Sequence, residues 1–548
     1  MMAATLTING NTIDAAVGRS LFELAESVGV QVPTSCQRQG KCKECIVEVA
    51  EGMAILSPPA PEESHLKDSF RLACRSRVIG DSGQIRCHTM RRGQLRIERH
   101  AYELPITHQG ITLDPTVARE GERILIDGAE VDTSRGPIHG LAMDLGTTTI
   151  VIRLFDLETG ELVADSSLEN PQRFGGSDVM ARIHYDSLDR GRLLMRTLAG
   201  YLSRAIAEFP VDPKSIYELV VVGNSTMRDL FFRKNVSSIG QSPYQSITEI
   251  EMAEGKRTTT SLTQSGQRSL LPIHPRARVY GAPIISGHVG ADAAACMLAV
   301  DLTNEDRLVA VMDIGTNTEL VVGNRHRILA ASCPAGPAFE GGAIACGMPG
   351  LDGAIEDVAL DDDGRFSLGV IGGGPPKGIC GSGLVGLTSE LLRTGRMNSL
   401  GRFEEAGSQI TIDNEQGIFI SERDINELAQ AKGANVSGLH TVFNNYGFDF
   451  HNIEVFYLAG GFGRHLNIAA AKRIGLIPNI PDAKFVQVGN AAIEGASIAL
   501  LSNAKRQELE HLVKRVEHCR LETHPRFFDF FVEGCQFKPV TSLRQVTG

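Results

Sequence analysis

Alternation of apolar and polar positions at the start of the chain predicts a small mixed domain. Residues 4–8 and 12–15 alternate as the arms of a short hairpin. Ser20 then stands where a helix begins, with Leu21, Leu24, Ala25 and Val28 recurring at i, i+3, i+4 and i+7. A loop of small and polar residues follows, and Ile46 to Ala50 alternates again as a strand. Further along the pattern changes to apolar strands that end in glycine turns, at 141–149 (LAMDLGTTT), 308–318 (LVAVMDIGTNT) and 457–463 (YLAGGFG). Helices of small residues are predicted from Gly290 to Leu298 and from Gly489 to Leu501.

The first two of these strands carry one device used twice, 169 positions apart: Asp-x-Gly-Thr-x-Thr, after which a second apolar strand leaves and returns. A tight glycine turn after a buried strand gathers backbone N–H groups and hydroxyls around a pocket suited to phosphate. A carboxylate beside a polyphosphate repels it unless a cation lies between, so Asp144 and Asp313 point to Mg2+ held directly or through water. A hairpin turn chosen for geometry alone is the plainer reading of either copy.

Cysteine spacing adds the other chemistry. Cys36, Cys42, Cys45 and Cys74 follow the order C-x5-C-x2-C with a distant fourth, and Gly40 lies inside the loop where backbone must approach closely. This predicts a 2Fe-2S cluster, each iron taking two thiolates, and the spacing resembles that of adrenodoxin-like ferredoxins. Cys42-x2-Cys45 also fits a structural zinc site, although such sites usually pair two short hooks.

Length and charge bound the rest. A chain of 548 residues exceeds one core and implies several domains, and 42% hydrophobic with 22% charged residues is ordinary for a globular protein. A net charge of −11 argues against general nucleic-acid binding. No apolar run is long enough for a bilayer and the N-terminus lacks a secretory pattern, so no membrane partner and a cytoplasmic location are expected. The seven other cysteines are expected as reduced, mostly buried thiols. Arg91, Arg92, Arg96 and Arg99 form a basic run that reads as a solvated linker face or as a patch for an acidic redox partner.

In chain order, the two hairpins, the helix from Gly290, the turn at Gly460 to Gly463 and the helix from Gly489 resemble the phosphate 1, connect 1, phosphate 2, adenosine and connect 2 elements of the acetate and sugar kinase, Hsp70 and actin superfamily. The expected fold is α/β and multidomain: a β-grasp 2Fe-2S ferredoxin at 1–90, a linker at 91–139, and a two-lobed actin-like ATPase at 140–548, its lobes dividing near 306 and 307. A ferredoxin joined to such an ATPase resembles the reductive activators of corrinoid proteins. Asn170-Pro171-Gln172 leading to Asp178-Val179, Val222 to Met227, Gly336 to Gly341 and Ile379 to Gly383 agree with that family. Residues 91–139 leave room for little beyond a linker, so the family's middle domain is expected to be missing.

The resemblance implies an enzyme that spends ATP to move one electron from its cluster to the cobalt(II) corrinoid of a methyltransferase system, restoring cobalt(I). It implies a corrinoid protein and an upstream low-potential electron donor as partners, with a homodimer left open. Asp144, Gly146, Thr147, Thr148, Asp313, Gly315, Thr316 and Asn317 would hold phosphates and metal, and Gly460, Gly461 and Gly463 would face the adenosine. Asn224 and Asp178 would line the pocket or serve as caps. Either Asp313 or Glu340 would orient the attacking water. A small-molecule kinase with a fused redox sensor, an activator of a CoA-ester reductase or dehydratase, and a nucleotide-binding scaffold are the alternatives.

Overall fold

Capping and alternation build the N-terminal domain as the pattern predicts. In this computed structural model, residues 4–34, 36–66, 69–90, 103–188, 192–361, 363–404, 407–461 and 466–543 are described. The basic run at 91–99 and Gly463 lie outside them. Strands Asn11–Asp14, Thr5–Ile8, Gln84–Thr89, Ile46–Glu51 and Phe70–Leu72 form one sheet in that order, with Thr5–Ile8 parallel to Gln84–Thr89. Helix Leu21–Ser27 starts in a capping box, Glu23 N donating to Ser20 Oγ at 3.2 Å and Ser20 N to Glu23 Oε2 at 2.8 Å. Leu21, Leu24 and Ala25 bury beneath the sheet.

The segment expected as a linker holds a small sheet of its own. Val117–Glu120, Arg123–Ile126 and Ala129–Thr133 pair antiparallel, turning at Gly121 and at Asp127-Gly128, whose φ values are 64°, 50° and 77°. Asp-Gly at a two-residue turn is a strong hairpin signal, because both positions need left-handed backbone. Val117, Ile124 and Ile126 pack into the same core as Tyr217 and Tyr280 of the following lobe, which removes them from water.

Two lobes follow, each built on a six-stranded sheet. The first runs Leu162–Glu169, Thr149–Asp156, His139–Leu145, Ile216–Val222, Arg278–Gly281, Leu262–Ser265, and the second runs Lys484–Gly489, Val455–Ala459, Val309–Ile314, Thr318–Gly323, Ile328–Cys333, Val516–His518. In both, the strand carrying the Asp-Gly-Thr sequence pairs antiparallel with its successor, and the tight turns Ile150↔Leu145 and Ile314↔Thr318 face the cleft between lobes. Helices Ala291–Ala299 and Ala491–Leu501 cross at the base of that cleft, where a Cβ on Gly495 would strike the Ala295 carbonyl. Small residues are therefore a steric requirement of the crossing.

The ferredoxin domain rests on helix Leu193–Ala207 of the first lobe. Arg196 Nη2 reaches Cys42 O at 3.5 Å, Arg204 meets Gln31, Arg173 meets Glu48 at 3.5 Å, and apolar residues from both sides share one core. Tyr201 is buried at this seam, within electrostatic reach of Cys45. Among the described residues no helix is long and apolar enough to cross a membrane, and the cysteines are free thiols, with Cys87, Cys296, Cys333, Cys380 and Cys519 buried.

Candidate functional site

The cysteine loop is wound by left-handed backbone. Gln37, Arg38, Gly40 and Lys43 have φ of 51°, 67°, 75° and 61°, which turns successive amides toward the interior of the loop. Burial alone would raise the Cys36 thiol, but amides of Cys42, Lys41 and Gln39 and the Cys42 thiol bring it down to about 7. Cys74 is lowered by its hydrogen bond with Cys45, by Arg75 and by the Gly40 amide, while Cys45 is raised by the same bond and by burial. Arg75 braces the loop by donating from Nη2 to Gln39 O at 2.6 Å and to Glu62 Oε1 at 2.9 Å. Gly40 has left-handed backbone, and a Cβ there would displace the Arg75 guanidinium, with Nε 2.5 Å away.

The four sulfurs meet as pairs. Cys45 Sγ and Cys74 Sγ are 3.3 Å apart, and Cys36 bonds with Cys42. Two thiolate pairs and inward amides suit a cluster with two thiolates on each iron better than one tetrahedral zinc.

The second constellation lies between the lobes. Thr148 and Thr316, one from each hairpin, have hydroxyl oxygens 2.8 Å apart, and both meet Glu340 Oε2, Thr148 at 2.7 Å. Glu340 arrives on the short helix Pro337–Glu340, whose approach is fixed by Gly336 N donating to Thr316 O at 2.8 Å. Asn224 caps helix Ser225–Phe231 through Met227 N at 2.9 Å and donates to Thr147 Oγ1 at 2.8 Å. Asp178 accepts from Ala181 N at 2.9 Å, a helix-starting contact. Asn170 pins the first turn, donating from Nδ2 to Gly146 O at 2.8 Å and from its backbone N to Thr148 O at 2.6 Å.

Gly460, with φ of 91°, fits because a Cβ would stand 2.5 Å from Ile314 O and 2.7 Å from Asp313 Oδ1. The turn therefore sits directly against the second hairpin, and Gly461 beside it is exposed. Gly315 and Asn317 remain half-exposed in that hairpin.

Acidic groups crowd the floor of this cleft. Burial pushes Asp144 up to about 7, with Asn490 Nδ2 donating to it at 2.8 Å in opposition and Asp313 adding to the rise. Burial likewise carries Asp313 to about 6, against the pull of the Cys296 thiol 3.4 Å away and with Glu340 adding. Asp292, at the start of the crossing helix, rises to about 8 through burial and Asp144. Burial and Asp292 lift Glu319 well above the usual carboxylate range, and burial lifts Glu340 against the hydroxyls of Thr316 and Thr148. Asp292, Glu319 and Asn490 were not foreseen from sequence. Asp292 lies two residues after Gly290 and Glu319 directly after Asp-x-Gly-Thr-x-Thr, and no local signal marks Asn490.

Three family models match the chain: a 2Fe-2S iron-sulfur cluster binding domain over residues 6–78, the RACo middle region over 139–305, and the C-terminal domain of RACo, the ASKHA domain, over 307–546. The chain belongs to the RACo family. Its middle region is present as the first lobe, so the expectation that a middle domain is missing was wrong: strands and helices of 139–305 were all assigned to the ATPase. A solved structure described as a reductive activator for corrinoid, iron-sulfur protein superposes with a TM-score of 0.71 at 25% identity, covering 98% of each chain. The corrinoid activation enzyme RamQ of Eubacterium limosum is 28% identical over 96% of this chain and 97% of its own. A [Co(II) methylated amine-specific corrinoid protein] reductase of Methanosarcina barkeri is 25% identical over 72% of this chain and 76% of its own. A β-grasp 2Fe-2S ferredoxin domain thus precedes the RACo middle region and the C-terminal ASKHA domain.

Proposed function

We propose that this chain is an ATP-dependent reductive activator, returning one electron to the cobalt(II) corrinoid of a methyltransferase protein so that cobalt(I) can accept a methyl group again. The observation that carries the reading is the contact of the cysteine loop with the lobe that holds the first phosphate hairpin, Arg196 meeting Cys42 O at 3.5 Å. The names of the relatives supply the substrate class.

Cys36, Cys42, Cys45 and Cys74 hold a 2Fe-2S cluster, which when bound supplies single electrons drawn from a low-potential donor. Cobalt(II) reduction lies lower still, and each ~59 mV of gap in a one-electron step is a factor of ten in equilibrium, about 1.4 kcal/mol. That gap is the reason for nucleotide. Backbone N–H groups of Gly146 and Gly315, with the hydroxyls of Thr147, Thr148 and Thr316 and the turn at Asn317, receive the phosphates. Gly460 and Gly461 leave space for the adenosine.

Asp144 and Asp313 would hold a Mg2+, which would supply the positive charge that a polyphosphate needs beside two carboxylates. Glu340, already seated on both hairpin threonines, orients the attacking water. Closure of the lobes on nucleotide shifts the first lobe, and with it the face on which the ferredoxin domain rests.

The test mixes anaerobically purified protein, a strong reductant, ATP–Mg2+ and candidate corrinoid proteins, and follows the cobalt(I) absorbance. Appearance of cobalt(I) that slows or stops without ATP supports the reading. ATP-driven phosphorylation of a small metabolite, with no effect of any corrinoid protein, would replace it with a kinase.

A further inference from the structure

Arg182, on helix Val179–Leu188, is fully buried yet poorly satisfied. Its Nε donates to Gly176 O at 3.0 Å, its Nη1 is spent on the Met227 thioether at 3.1 Å, and its Nη2 has no partner. A thioether is a weak acceptor, and a guanidinium left this way is expensive to bury. Two neighbours share the condition: the side-chain amide of Gln172 lacks partners at both ends and Thr226 Oγ1 lacks one, both side chains being buried.

These groups lie one contact behind the first phosphate hairpin, next to Asn170 and Asn224, which hold it. Met227, under the guanidinium, also lies 3.9 Å from Asn170 Nδ2, the same nitrogen that donates to Gly146 O at 2.8 Å. Thr226 precedes that methionine in the helix capped by Asn224, whose own Nδ2 holds Thr147. Gln172 follows Asn170 by two residues, and its backbone N donates to Asn170 Oδ1 at 2.9 Å. The charged groups facing Arg182 are Arg173, Asp178 and Glu340, and the attraction of Glu340 is felt from both sides of the pair. Arg182, a buried cation with an open donor, is thus within electrostatic reach of the carboxylate that meets both hairpin threonines.

We infer that Arg182, with Gln172 and Thr226, forms the oxyanion pocket for the terminal phosphoryl group, and that Arg182 is a catalytic residue of ATP hydrolysis. This rests on the reading of the cleft as a nucleotide site. Water oxygen bonds to the terminal phosphorus, the bond to the bridging oxygen breaks with its electron pair leaving on ADP, and the water's proton passes through Glu340 to solvent. Negative charge on the three equatorial oxygens then finds the open Nη2 and the Gln172 amide, while Glu340 moves off Thr148 and Thr316 to make room. The ligand class is a tetrahedral phosphoryl oxyanion, first as part of the triphosphate and then as released inorganic phosphate.

The full chain is compared as wild type, Arg182→Lys, Arg182→Met and Gln172→Leu for ATP turnover and for affinity toward ADP and toward ADP with aluminium fluoride. Loss of Arg182 should lower turnover roughly a hundredfold or more. It should also erase most of the preference for the fluoride complex while ADP affinity stays within about threefold. A purely structural role would weaken both nucleotides together or neither, and that result overturns the inference. Hydrogen exchange on the wild type gives an answer that needs no variant: residues 170–184 should gain protection with ADP–aluminium fluoride beyond that with ADP, and equal protection overturns the inference. Wild-type protein that binds no adenine nucleotide would instead sink the underlying site reading. Added inorganic phosphate competing only in the presence of ADP marks the product-bound arm of the same pocket.

Discussion

Thr148 and Thr316 stand 2.8 Å apart at their hydroxyl oxygens although each belongs to a different lobe, and the Glu340 carboxylate lies against both. On the proposed reading, this anion on two threonines occupies the place that a phosphate takes when nucleotide binds. Replacing either threonine by alanine removes one donor to a charged group, worth about 1.5–3 kcal/mol. ATP affinity of Thr148→Ala or Thr316→Ala should therefore fall roughly tenfold or more, as read by calorimetric titration. Unchanged affinity would move the phosphates elsewhere.

The two sulfur pairs make a sharper prediction about independence. Cys42→Ser should abolish the visible absorbance and the iron and sulfide content of the purified protein, because Cys36 loses its partner across the pair. Nucleotide binding should survive, since the hairpins lie in another domain with its own sheet. Stoichiometric zinc in the wild-type protein would contradict the cluster assignment.

Much of this was legible from short-range pattern, for physical reasons that also explain what was not. Period-two strands, the Ser20–Glu23 cap and the doubled Asp-Gly-Thr turn are local, and local sequence dictates them. The Asp127-Gly128 hairpin was equally local and was overlooked because the segment lay between two recognisable domains. Asn490 is another matter: it reaches Asp144 across 346 residues, and only the crossing of the Ala291–Ala299 and Ala491–Leu501 helices brings it there. Asp292 and Glu319 join the acidic floor for the same reason, as one residue each on elements whose meeting no local spacing encodes.

That acidic floor should titrate when nucleotide binds. Asp144 near 7 and Asp292 near 8 are raised above their ordinary range near 3.8, so they are partly protonated at pH 6.5 in the ligand-free protein. The sign follows directly: a raised carboxyl favours the folded ligand-free state most at low pH, and that contribution is lost as pH rises through the folded values. A bound divalent cation favours the carboxylates, so Mg2+–ADP binding should release protons at pH 6.5 and tighten between pH 6 and 8. Calorimetry in two buffers of different ionisation enthalpy checks it. Identical apparent enthalpies would show that these carboxyls do not sense the ligand.

Glu494 carries the opposite sign and a structural burden. It sits on the Ala491–Leu501 helix, accepts from Arg153 Nη1 at 2.5 Å and from His108 N at 2.6 Å, and is almost wholly buried with Arg153. Burial would raise it, but His108 and Arg153 together hold it down to about 2. Its stabilisation is therefore complete above the ordinary value of 4.5 and is lost as pH falls toward 2. Glu494→Ala leaves the Arg153 guanidinium buried without its partner, at a cost of about 3–5 kcal/mol. Because the same helix crosses Ala291–Ala299 at the base of the cleft, the loss should appear both as a lower midpoint in urea unfolding at neutral pH and as weaker nucleotide binding. A variant as stable as wild type at pH 7 would mean that water reaches Arg153 and that the helix crossing does not depend on this pair.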